Sequence, residues 1–178
     1  MMGRIRSPFR RFRKDEKGLA SIEFALFFPI YLGMFFWAAE LGIIQIKSVM
    51  LDHALDVVIR DLRLGKIAEP SQEQMREDIC SRLTILRDCE ENLMIELQPV
   101  STQAWLMPPA EVTCIDKDEE MQPVTTFDPG TEQELMLVRV CANVPVIFPN
   151  MMFGRLLTKD SEHGINVAAT SAFVNEPS

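Results

Sequence analysis

Apolar and polar positions divide this chain into three regimes. Over residues 19–46 only Glu23 and Glu40 are charged, and residues 24–39 carry no charge at all. A helix rising 1.5 Å per residue needs roughly 20 such residues to cross about 30 Å of hydrocarbon, so the run predicts a membrane-spanning helix. Pro29 removes one backbone hydrogen bond within it and predicts a kink. Beyond the run, Ile44, Ser48, Leu51, Leu55, Val58 and Leu62 recur at alternating spacings of four and three, while Asp52, Asp56, Arg60 and Arg63 fall on the other face. This stripe predicts that the helix continues to about residue 64, a length of about 69 Å, and packs its outer half on the protein's own core. Gly65 stands where a C-terminal cap is expected.

After the linker KIAEP (66–70), a second amphipathic helix is predicted from Ser71 to near Arg87. Ser71 and Gln74 have capping-box spacing, and Met75, Ile79, Leu83 and Leu86 supply the apolar face. The remaining pattern changes period. Residues 92–100, 110–116, 134–148 and 164–173 read as strands between stretches rich in Pro, Asp, Glu and Gly, which predicts a small antiparallel sheet packed on helices. The acidic segment 116–134 reads as an exposed loop. The expected class is therefore α+β, with a basic leader over 1–18, a transmembrane helix over 19–46 and an exported domain over 47–178.

Charge sharpens this division. The first 18 residues hold seven Lys and Arg against two Asp and Glu, a net +5, so the rest of the chain has 11 basic and 24 acidic residues, net −13. A body this acidic argues against a nucleic-acid partner. Basic residues before the span place the N-terminus in the cytoplasm and the domain on the far side. The apolar run is longer than that of a secretory signal and lacks a small-residue cleavage site. The alternative, a core helix of a soluble protein, fits the basic flank less well. Glu23 lies only about 6 Å inside the apolar run, where an unpaired carboxylate is costly and needs a cation. Glu40 falls at the outer interface and is expected to be a solvated bystander.

The residues DEKG (15–18) and LASIEF (19–24), followed by the apolar run, resemble the class III signal of prepilins. In such signals a basic leader ends in Gly, the peptidase cuts after it, and Glu stands at the fifth mature position; Gly18, Leu19 and Glu23 fit that spacing. The longer pattern over 18–45, the continuation over 49–65 and the tail FVNEPS (173–178) are similar to the TadE-like family of tight-adherence (Flp) pilus assembly, regarded as pseudopilins. The resemblance implies a pilin-like fold and an inner-membrane protein with a periplasmic domain. Its implied partners are membrane lipid, a prepilin peptidase and other Flp pilus or Tad secretion-system proteins. Phe24, where major Flp pilins carry Tyr, and the large exported portion fit a minor component. Cleavage after Gly18 would create an α-amine on Leu19 one turn from Glu23, within reach of its carboxylate. That Glu is alternatively placed to meet the amine of a neighbouring subunit. If the leader instead stays attached, Glu23 snorkels toward Lys17 and the span is a plain anchor for a scaffolding domain.

All four cysteines, Cys80, Cys89, Cys114 and Cys141, follow the span. In an oxidising compartment an even count favours disulfides, and of the three possible pairings Cys80–Cys89 with Cys114–Cys141 is preferred over free buried thiols. Their spacing does not suit zinc, and no cofactor is expected. With only His53 and His163 and no Gly-rich phosphate loop, neither an enzyme nor a small-molecule substrate is indicated.

Overall fold

The computed structural model describes residues 19–64, 66–67, 70–86, 88–101, 109, 112–115, 123–148 and 164–175. The leader, Gly65 and His163 lie outside these residues. Contacts divide the chain into two units, Met1–Ala39 and Glu40–Ser178. The division falls ahead of residue 46, where hydropathy alone ends the apolar run.

Helix α1 covers Leu19–Arg63 and runs through Pro29. In the first unit most of its apolar side chains are exposed: Phe24 is 64%, Leu26 67% and Phe35 67% exposed. Phe24 and Phe28, one turn apart, stack with ring centroids 5.0 Å apart. This helix is long and apolar enough to cross a membrane.

In the second unit α1 changes role. Leu51, Ala54, Leu55, Val58 and Ile59 are buried, with Ile44 and Leu62 packed against the same core. The predicted stripe thus packs within the chain, and Asp52, Asp56, Arg60 and Arg63 face outward. Helix α2, Gln72–Arg82, begins at Ser71, whose Oγ accepts a hydrogen bond from Gln74 N at 3.2 Å. It contributes Met75 and Ile79 to the core but ends before the expected residue 87. A disulfide explains the early stop. Nine residues of helix would carry Cys89 about 13 Å from Cys80, whereas their Cα atoms are 5.6 Å apart. The chain therefore turns back at Leu83 and enters a short helix, α3, at Cys89–Asn92.

Three strands follow: β1 (Leu93–Pro99), β2 (Leu135–Val144) and β3 (Ile165–Val174), in spatial order β1-β2-β3 and antiparallel throughout. Alternate residues serve the helix-side core: Leu93, Ile95 and Leu97 of β1, Met136, Val138 and Val140 of β2, and Val167, Ala169 and Phe173 of β3. β2 is buried on its other face as well, because the long β1–β2 connection returns across it. Cys114 of that connection is bonded to Cys141, and Pro109 O accepts from Arg139 Nη1. The expected strand at 110–116 is absent over its described residues, 112–115. Tethering of Cys114 to the face of the sheet takes the place of a ladder. Of the expected acidic loop, Phe127 packs against the core and bridges Leu97; residues 116–122 lie outside the described set.

Candidate functional site

The predicted processing junction lies in the first unit. Gly18 is outside the described residues, and Leu19 is the first residue of α1. Glu23 stands one turn further along and is exposed, and no described residue pairs with its carboxylate. In water such a group is solvated. In hydrocarbon it would need a cation. The helix therefore presents an apolar surface interrupted near its start by a single acidic side chain.

A second carboxylate occupies a quite different setting. Glu40, expected to be solvated, is 5% exposed. Its Oε1 accepts from Ile147 N at 2.8 Å and its Oε2 from Phe148 N at 3.2 Å. Those amides need it. Pro145 follows β2, and past that point the chain leaves the sheet, so its N–H groups have no ladder to join. Two donors per carboxylate compensate the loss of water. Lys47, two turns on, is half-buried; burial holds its ammonium below the ordinary range, opposed by the negative charge of Glu40. Glu40 thus ties α1 to the segment after β2. The sequence contained a sign of this: position 40 lies four residues, about one helical turn, before Ile44, although strict alternation would put Leu41 there.

The cysteines are joined as Cys80–Cys89 and Cys114–Cys141, the preferred pairing, with Cα separations of 5.6 and 5.3 Å. Beside the second disulfide, Arg139 and Glu96 stand directly opposite in the β1–β2 register. Arg139 Nη2 lies 2.8 Å from each Glu96 oxygen, and Gln98 Nε2 donates to Glu96 Oε1 at 3.1 Å. This pair was not singled out from sequence. Each residue lies in an apolar strand, and only the register brings them together. The arrangement is suited to fastening the β1–β2 connection rather than to chemistry, because both charges are consumed by one another and by protein groups. Among the described residues, no three side chains are grouped to hold a metal ion, and His53 lies on the exposed face of α1.

Comparison with protein-family models, with curated proteins and with solved structures finds no match to this chain. What the fold defines is a class: an α+β unit, pinned by two disulfides, that follows one helix long and apolar enough to cross a membrane.

Proposed function

We propose that the protein is a minor pseudopilin of a Flp-type (tight-adherence) pilus, held in the bacterial inner membrane before incorporation. Its N-terminus is cytoplasmic and its domain periplasmic. The observation that carries the reading is the spacing of Gly18, Leu19 and Glu23 ahead of an uncovered apolar helix. A prepilin peptidase would free the Leu19 amine, and Glu23 would then bind that amine or one on a neighbouring subunit. In this reading the protein is not an enzyme, and force for assembly comes from other Tad components. The two disulfides support an oxidising location for the domain.

Mass spectrometry of the membrane-extracted protein, with and without reduction, tests this directly. The expected mature chain begins at Leu19 and gains the mass of four hydrogen atoms on reduction, one for each cysteine. Gly18→Ala should leave the leader attached. A full-length polypeptide from cells making functional pili would instead support an unprocessed anchor whose domain scaffolds envelope partners.

A further inference from the structure

The two edges of the sheet are treated differently. On β1, Leu97 N donates to Thr126 O at 2.9 Å, Leu97 O accepts from Asp128 N at 2.8 Å, and Ile95 O accepts from Gln72 Nε2 at 3.2 Å. Pro99 has no N–H to offer. That edge is closed by the protein itself. Among the described residues, β3 has none of these devices. Its ten residues, INVAATSAFV, contain no charge and no proline, which are the usual protections of an edge strand.

The register fixes which of its groups point outward. Val100 N donates to Leu135 O at 2.7 Å, so the odd-numbered residues of β2 direct their backbone groups toward β1. The even-numbered ones, Met136 to Val144, therefore bond Phe173, Ser171, Ala169, Val167 and Ile165. Asn175 N, donating to Glu134 O at 3.0 Å, continues the same phase. Asn166, Ala168, Thr170, Ala172 and Val174 are left with N–H and C=O directed away from the sheet, and no described residue pairs with them. Their side chains share the exposed face.

We propose that β3 is a homotypic docking edge: two copies of this chain pair β3 with β3, antiparallel, about a two-fold axis at Thr170. In that register Asn166 meets Val174, Ala168 meets Ala172, and Thr170 meets its counterpart. Every outward-facing residue then occupies a hydrogen-bonded pair position. Thr–Thr is a favourable cross-strand pair, and Ala opposite Ala leaves no obstruction. The register, which pairs the strand with itself, points to a second copy, and charge does not oppose it locally. The chain beyond residue 18 carries net −13, yet β3 itself is uncharged, so acidic copies meet along a strand where no like charges are opposed. Closure of β1 limits growth: an isologous contact through one free edge stops at two chains instead of forming a fibre. The inference does not depend on processing at Gly18 and is tested without pili.

The test uses the purified full-length chain in mild detergent. The native cysteines are paired, so Thr170→Cys introduces a lone thiol. The expected Cα spacing of a hydrogen-bonded antiparallel pair, about 5.5 Å, permits a disulfide. Thr170→Cys should yield a covalent dimer under mild oxidation, whereas Val124→Cys, at a site 98% exposed and away from the edge, should not. Light scattering should give twice the chain mass for wild type and a single chain for Ala168→Lys/Ala172→Lys, which opposes like charges. Ala168→Lys/Ala172→Glu opposes unlike charges and should keep the dimer, which also shows that substitution at these sites permits folding. The proposal is overturned if wild type is a single chain throughout a concentration series, or if the two double variants associate equally. Slow exchange of the backbone amides at positions 168, 170 and 172 in the single-chain variant would also overturn it, by showing that the chain covers this edge itself.

Discussion

Glu40 illustrates how one side chain can be misjudged when only its distance along a helix is considered. It stands about 32 Å from Leu19 along the axis, which suggested an interfacial, watered carboxylate. It lies one helical turn before Ile44, on the side of α1 that turns to the core, and there it meets Ile147 N and Phe148 N. Glu40→Ala should remove the carboxylate that both part-buried amides donate to and destabilise the domain by about 1–3 kcal/mol. A lowered denaturant midpoint, with faster exchange at Ile147 and Phe148, is the expected readout. Asp61 gives a milder case. Its carboxyl is held below the ordinary range, first by the hydrogen bond from Lys66 at 2.7 Å and then by the charges of Lys66, Arg82 and Arg60, against some desolvation. A depressed carboxyl pKa favours the fold above the ordinary value, and that contribution is lost as pH falls below about 4 and through the folded value. Asp61→Asn should therefore lose a small stability near neutrality and show a flatter decline in acid, read from unfolding midpoints across a pH series.

Among the elements, those governed by local periodicity were the legible ones. The apolar run and stripe yielded α1, and alternation yielded β1, β2 and β3 close to their observed limits. The Ser71 cap marked the start of α2 because its oxygen and the Gln74 amide are neighbours in sequence. Its end was not legible, since it depends on Cys89 returning to Cys80. Residues 112–115 were misread for a similar reason: an alternating pattern accompanies a segment that is tethered across the sheet rather than laddered into it. The Glu96–Arg139 pair needed the β1–β2 register before it could be seen. Each disulfide should contribute about 2–4 kcal/mol. Cys114→Ser/Cys141→Ser should be the more disruptive pair, because it frees the connection over β2, whereas Cys80→Ser/Cys89→Ser frees a loop with a sequence separation of 9 against 27. Proteolysis within residues 101–134 should be faster in the first variant than in the second.

At the scale of the whole molecule, the chain combines two units with opposite demands on solvent. The side chains of residues 21–35 are exposed and mostly apolar, as lipid requires. The other encloses its apolar residues between α1, α2 and the sheet. Under the proposed function, Glu23→Ala should leave cleavage after Gly18 largely intact while reducing recovery of the protein with other pilus components. Normal piliation and normal partner recovery in that variant would remove the pairing role assigned to Glu23.

The covalent ties have a temporal consequence. Both lie downstream of the apolar helix and neither can persist where glutathione keeps thiols reduced. Under the proposed function, a copy stranded on the cytoplasmic side would keep Cys114 and Cys141 apart as thiols, leaving the outer cover of β2 fastened through Arg139. Such a copy would be open to proteases, while a translocated one would be locked. The same pair of sulfurs that finishes the fold would then act as its quality control, recording which chains had completed the crossing.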